Sequence, residues 1–465
     1  MIKELQKNIK KTTPEKLFAN AVLKAKENQT KYNCFVTIIE QFQKDNGNSL
    51  LSGIPYSLKD NFATKGILTT ASSNILRNFI PVYNATVYKK LKEAGAVLVG
   101  KTVLDELAMG GTGTTAHTGI VRNPHDEKRI VGGSSAGAAA SIALGITPFA
   151  LASDTGDSVR KPAAYTGVVG FKPTYGRISR HGLFPFASSL DHVGCITTCV
   201  EDAAIVTDVI KGPDEYDMTA LSSDENYLPN LIKSIKGKKL FYIKEMMVAS
   251  KENQAVLDNF YQVVKICQAN GVEVVEISID KALLQAIYPA YMAISCAEAT
   301  SNNANLLGIN FGVREEGKTI EEIMFNSRTK GFSELIKRRF ILGSYILQKE
   351  NQEKLFLNAC RIRRLIVNEI NKFFEKHDAL IAPATGSIAP EIGKETNKVD
   401  DDHLILESNL IIGNFGGYPS ITIPSGKVNK LPVGFNITCG VKQDSLTLNI
   451  AYQIEQMLKE GENNV

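Results

Sequence analysis

Two clusters of glycine and serine lie close together in this chain, Gly132-Gly133-Ser134-Ser135 and Asp154-Thr155-Gly156-Asp157-Ser158. Glycine lets backbone N–H groups converge on a ligand with no side chain in the way, and a serine beside such groups can be a nucleophile. A small-residue segment, Ala136 to Gly145, and an apolar run, Thr147 to Ala152, separate the clusters, so both could close on one reacting atom. A serine nucleophile needs a base. The histidines, His117, His125, His181, His192, His377 and His403, include no obvious partner. Lysine can serve instead when burial holds it neutral. Lys59 is the candidate, because it follows the apolar run Gly53-Ile54-Pro55-Tyr56-Ser57-Leu58. A salt-bridged lysine at a strand end is the competing reading of the same residue.

Three strings suggest other chemistry and fail on context. Gly95 to Thr102 fits a phosphate-binding P-loop, but that loop must follow a strand, and here the residues between the glycines read as the strand itself. Gly133 to Gly137 fits a hydrolase nucleophile elbow with Ser135 as nucleophile; the segment before it is short and charged, and no histidine partner is evident. Ser158-Val159-Arg160-Lys161 fits the serine–lysine motif of penicillin-binding enzymes without its companion motifs.

The elements that must position these residues alternate along the chain. Glu15 to Asn28, Asn84 to Ala94 and Gln254 to Asn270 have helical spacing, and Phe332 to Lys376 is a long helical region. Ser52 to Leu58, Ala96 to Val99, Thr147 to Ala152, Val168 to Lys172, Leu240 to Ile243 and Ala379 to Ile381 read as strands. Such alternation predicts an α/β fold layered on a central sheet. Residues 211–238 are polar and turn-rich, a long surface connection or insertion, and no linker forces a division of 1–465 into independent domains.

Composition is that of a soluble globular protein, 43% hydrophobic and 22% charged over 465 residues. A net charge of +4 without a dense basic stripe argues against direct nucleic-acid binding; Lys233 to Lys239 and Lys337-Arg338-Arg339 read as solvated faces. The seven scattered cysteines form no metal-binding spacing and suit free thiols in a reducing cytosol. The N-terminal segment lacks the apolar core of a signal peptide, and no run reaches membrane-spanning length, so a cytoplasmic protein is expected.

Together these residues resemble the amidase signature family. The resemblance rests on Lys59 in its Gly53 to Asp60 context, the Gly132 to Gly137 turn, the Asp154 to Ala163 loop and Gly167 to Gly176, in that order. The intervals match too: 75 residues from Lys59 to Ser134 and 24 from Ser134 to Ser158. It implies a single amidase-signature domain with a central mixed β-sheet covered by helices on both faces. It further implies Ser158 as the acylated nucleophile, Ser134 as a proton relay after a cis peptide bond at Gly133, and Lys59 as general base and then acid. The backbone N–H groups of Thr155, Gly156, Asp157 and Ser158 would form the oxyanion hole, with Asp154 and Arg160 bracing the loop. The family usually has glycine where this chain has Asp157. An inward carboxylate would oppose the developing oxyanion, so this side chain is expected to face away, Asp being tolerant of left-handed backbone.

Within the family the chain is similar, nearly end to end, to the glutaminase subunits of tRNA-dependent amidotransferases. The segments that carry this are Asp105 to Gly110, Arg177 to Asp191, Ser295 to Asn302, Lys337 to Gly343 and Asn414 to Pro419. The similarity implies hydrolysis of glutamine through a γ-glutamyl ester, with ammonia passed to a B-type transferase partner that works with a small, C-type partner. That transferase would convert Glu-tRNA(Gln), Asp-tRNA(Asn) or both, using ATP and Mg2+ and holding most of the tRNA; no cofactor or metal is expected in this chain, and no membrane. Arg339 would bind the glutamine carboxylate, Glu407, longer than the usual Asp, its ammonium, and Tyr291 would line the pocket. Surface ion pairs are the competing reading of Arg339 and Glu407. The alternatives for the whole chain are a free-standing amidase acting on another amide and a non-catalytic scaffold within the complex; the intact Lys59, Ser134 and Ser158 argue against the latter.

Overall fold

The computed structural model describes residues 1–8, 12–43, 47–248, 253–394 and 405–463; His403 lies outside them. Thirteen strands occur among these residues. The first eight are β1 (Phe35–Ile38), β2 (Pro55–Lys59), β3 (Val97–Thr102), β4 (Arg122–Asn123), β5 (Asp126–Ile130), β6 (Phe149–Asp154), β7 (Val169–Lys172) and β8 (His192–Thr197). The rest are β9 (Lys239–Ile243), β10 (Glu273–Ile277), β11 (Ala379–Pro383), β12 (Ser420–Val428) and β13 (Leu431–Cys439). Apart from the small β4–β5 hairpin they form one 11-stranded sheet in the order β1-β3-β2-β6-β8-β7-β12-β13-β11-β9-β10.

The sheet is mixed. β2 runs parallel to both β3 and β6, while β6, β8, β7, β12, β13 and β11 pair antiparallel in succession. Both faces are covered, because alternate residues of a strand point to opposite sides. Phe149 and Leu151 of β6 pack in one core with Val200 and Ala204 of helix Val200–Ile210, and Ala150 and Ala152 pack in another with Ala136 to Ala140 of helix Ala136–Ala143. The expected fold is therefore the observed one.

Local boundaries differ from the sequence reading in ways that have causes. The predicted strand Thr147 to Ala152 is instead β6 at Phe149–Asp154, because Thr147 lies before the ladder and the pairing with β8 continues to Asp154 and His192. The long helical region breaks after helix Glu334–Leu347, where Gln348 turns extended at ψ 142°, and resumes through a π-turn, Glu353–Leu357, into helix Asn358–Phe374. The connection 211–238 is anchored rather than loose: Tyr227, Leu231 and Ile235 are buried in the core, and Asp208 accepts from the Tyr227 and Leu228 N–H groups. Among the described residues no helix is long and apolar enough to cross a membrane.

Candidate active site

Parallel pairing brings the two chemical segments to the same edge of the sheet. The β2–β6 register aligns Tyr56 with Phe149, Ser57 with Ala150 and Leu58 with Leu151, so the carboxyl ends of both strands lie side by side. Lys59 ends β2, and the second Gly/Ser cluster begins as β6 ends. In open α/β sheets that end of the strands is where ligands bind. β3, also parallel to β2, ends beside them and leads into Asp105.

Lys59 is fully buried. Its Nζ lies 2.8 Å from Ser134 Oγ, 2.9 Å from Ser135 Oγ, 2.9 Å from Ser153 Oγ and 3.1 Å from the Ser153 carbonyl. Burial lowers its pKa to about 7, against the pull of Asp154, Asp105, Asp191 and Asp157. An ammonium has only three protons for these four neighbours, whereas the neutral amine donates twice and accepts from a hydroxyl. The site thus holds a lysine that changes protonation state near neutral pH. No carboxylate forms a salt bridge with it among the described residues, which removes the salt-bridged reading.

The first cluster is a turn between β5 and helix Ala136–Ala143, and its Gly133–Ser134 peptide bond is cis, as the family resemblance implies. Asp105 holds it. The Asp105 N–H donates to the Ser134 carbonyl at 3.1 Å, and a side chain on Gly133 would overlap the Asp105 carboxylate. The same carboxylate accepts from the N–H groups of Thr112, Gly113, Thr114 and Thr115 and from the Thr115 hydroxyl. Ser135 points to Lys59 and the Ser153 carbonyl, not to open space, so it does not act as an elbow nucleophile.

The second cluster is braced by a buried ion pair. Arg160 donates to Asp154 Oδ1 at 2.9 Å and Oδ2 at 3.1 Å, and also to Gly156 O, Asn414 Oδ1, Leu410 O and Ser420 Oγ. Burial alone would raise the Asp154 pKa, but Arg160 and then Lys172 hold its carboxyl well below the usual carboxylate range. The loop it encloses leaves its donors free: among the described residues, the N–H groups of Thr155, Gly156, Asp157 and Ser158 donate to no acceptor. Four adjacent unpaired N–H groups beside a serine have the makings of an oxyanion hole. The clusters touch through Ser135 N–H and the Ser158 carbonyl at 3.2 Å. The Ser134 and Ser158 hydroxyls are not hydrogen-bonded to each other, so the expected relay is assembled from Lys59 to Ser134 and open between Ser134 and Ser158.

Asp157 corrects one expectation. No residue of 155–158 has positive φ, so tolerance of left-handed backbone does not explain the Asp. It lines the cavity and forms a short ion pair with Lys161, one helical turn on.

That cavity, about 280 Å3, brings together Gly156, Asp157, Tyr291, Arg339 and Glu407, with Lys161, Tyr165 and Ser387 among its other walls. Tyr291 lies over the nucleophile loop: a Cβ on Gly156 would stand 3.0 Å from its hydroxyl. Arg339, on helix Glu334–Leu347, packs its guanidinium over the Phe186 ring at 5.7 Å, and its Nε and Nη1 are buried without a hydrogen-bond partner. A buried guanidinium so placed is suited to a carboxylate ligand. Glu407 accepts from the Gly386 N–H at 3.0 Å and lies 4.0 Å from Lys161. Asp105 and Lys161 were given no role by the sequence reading. The Asp105 carboxylate is held by loop backbone seven to ten residues on and Lys161 pairs with Asp157 four residues before it, but its approach to Glu407 has no local signal.

Among the described residues no group of three or more His, Cys, Asp or Glu side chains could hold a metal ion. A family model described as Amidase matches residues 18–448. The chain is 38% identical to the A-type subunit of glutamyl-tRNA(Gln) amidotransferase from Oenococcus oeni, over 96% of this chain and 94% of that protein. It is 40% identical to the protein of the same name from a Geobacillus species, over 89% and 85%. Its fold matches the crystal structure of the protein of that name from Thermotoga maritima with a TM-score of 0.82 at 34% identity, covering 95% and 91% of the two chains.

Proposed function

The chain belongs to the amidase family, and on that premise we propose that it hydrolyses the side-chain amide of glutamine as the ammonia-supplying member of a tRNA-dependent amidotransferase. The observation that carries this reading is Lys59: a buried lysine titrating at about 7, at 2.8 Å from Ser134 on the turn that joins the Ser158 loop. With glutamine bound, Ser158 Oγ attacks the amide carbon while its proton passes through Ser134 to Lys59 Nζ. The oxyanion forms against the N–H groups of residues 155–158. Lys59 then returns the proton through Ser134 to the leaving nitrogen, the C–N bond breaks, and ammonia departs from a γ-glutamyl ester on Ser158. Water, deprotonated by the same route, cleaves the ester and releases glutamate.

The substrate's two charged ends fit the cavity, the carboxylate at Arg339 and the ammonium at Glu407, with Tyr291 over the chain between them. Near full-length likeness to proteins named as amidotransferase subunits of the A type supports passage of ammonia to a B-type transferase partner, held with a small C-type partner in a cytoplasmic complex. ATP, Mg2+ and most of the tRNA contact then belong to the transferase. Ammonia release from glutamine by the chain with its partners tests the reading. Ser158→Ala is expected to lower the rate by about 1,000-fold or more, as loss of a nucleophile does in other serine hydrolases. Undiminished release in that variant would overturn it.

A further inference from the structure

The cavity is lined by four charged side chains, Asp157, Lys161, Arg339 and Glu407, and their pairing is uneven. Lys161 is committed: its ammonium is ion-paired with Asp157 and stands 4.0 Å from Glu407 Oε2. Its own N–H donates to the Asp157 carbonyl at 2.8 Å, which ties the first turn of helix Arg160–Thr166 back to the loop that precedes it. Burial would lower its pKa, but Asp157 and Glu407 raise it well above that of an ordinary lysine, so it stays charged at any working pH. Arg339 is uncommitted, with two buried donors lacking partners. Two carboxylates therefore share one ammonium, while the second cation waits.

We propose that Lys161 is a specificity-determining residue of this site: by neutralising the carboxylate that Asp157 brings to the nucleophile loop, it leaves Glu407 as the anion for a substrate ammonium and Arg339 as the cation for a substrate carboxylate. The inference rests on the glutaminase reading and names how the charge of the substrate is matched. Without Lys161, Asp157 would stand uncompensated next to the N–H groups on which negative charge develops, and like charge in a partly dehydrated site opposes the transition state. Without Asp157, the Lys161 ammonium would settle on Glu407 and occupy the acid that a substrate ammonium needs. The Asp at this position is then tolerated because its charge is answered locally.

The test uses the complex with its partners and two substrates, glutamine and glutaramate, which is glutamine without its α-amino group. K161Q is expected to lower kcat for both substrates by about tenfold or more. D157G/K161Q is expected to recover most of that loss, since no unpaired carboxylate remains beside the oxyanion. D157G alone should raise KM for glutamine about fivefold more than KM for glutaramate. Equal losses in K161Q and D157G/K161Q, or parallel changes of both KM values in D157G, would overturn the proposal; should K161Q not fold, the D157G comparison still decides. A wild-type complex that releases no ammonia from glutamine defeats the glutaminase reading itself, and the wild-type rate tells the two failures apart.

Discussion

Lys59 pays for its position in a way that can be measured. Its unfolded pKa is that of an ordinary lysine, near 10.5, and burial lowers it to about 7 in the folded chain. Between those values the unfolded chain binds a proton that the folded chain does not, so folding stability rises with pH across the window and is flat in this contribution below about 7. Lys59→Met removes the titration. We expect the wild type to gain about 1.4 kcal/mol per pH unit relative to that variant between pH 7 and 10. Denaturant unfolding of both proteins across that range would show it, and a constant difference would mean the lysine titrates normally. The same deprotonation governs activity: kcat/KM for glutamine should climb through about pH 7 as the neutral amine becomes available to take the serine proton.

At the scale of elements, the cavity depends on where helix Glu334–Leu347 begins, because that helix carries Arg339. Glu106 fixes its start. One carboxylate oxygen accepts from the N–H of Ser333, the residue capping the helix, at 3.1 Å, and the other accepts from the Ser73 hydroxyl at 2.5 Å. Burial raises the Glu106 pKa, with those bonds opposing it. Glu106→Ala leaves the Ser333 N–H without an acceptor and the Ser73 hydroxyl with only the Gly331 carbonyl at 3.4 Å, and we expect KM for glutamine to rise about fivefold with a smaller fall in kcat. Glu106→Gln should restore most of the KM, since its amide can accept from Ser333 and donate to a rotated Ser73 hydroxyl. An Ala variant whose kcat falls while KM is unchanged would place Glu106 elsewhere in the mechanism. Glu106 also shows the limit of reading the sequence. Lys59, Ser134, Ser158, Arg339, Glu407 and Tyr291 were reachable because they stand in motifs or align with a family pattern, and the strands because apolar runs mark them. Glu106 and Asp105 stand in a segment that carries the family likeness, yet nothing in Asp105-Glu106-Leu107 says that the fold sets Asp105 against the Gly133 turn and Glu106 against Ser73 and the start of a helix at Ser333. The Lys161–Glu407 approach spans 246 residues and carries no periodic signal. The break at Gln348 was equally hidden, since both flanking segments keep helical spacing.

The whole molecule is a sheet in two sequential halves. Strands β1 to β8, excluding the β4–β5 hairpin, occupy one side, and β9 to β13 the other, meeting where β7 pairs with β12 through Lys172 and Ser420, Phe171 and Ile421, and Gly170 and Thr422. The chemistry follows the same division. Lys59, Ser134 and Ser158 come from the first half, and Tyr291, Arg339 and Glu407 from the second, so the candidate site is complete only when the halves are joined. The joint is polar and buried as well as sheet-like. Arg160 of the first half donates to Leu410 O and Ser420 Oγ of the second, and Asp444 accepts from Thr174 N–H and from Arg177 at 3.2 Å. By contrast, the covalent link runs through 211–238, where Asp224, Glu225 and Asn226 are exposed between anchors on either side, the Ser222 carbonyl bonded to Arg177 and Tyr227 bonded to Asp208. Breaking an exposed link costs little when the buried contacts across the joint persist. A protease site inserted between Asp224 and Glu225 and then cut should therefore leave the fragments co-eluting as one species in gel filtration. Ammonia release should stay within about twofold of the uncut chain. Fragments that separate without denaturant would show that the connection, and not the β7–β12 joint, holds Arg339 and Glu407 over the nucleophile loop.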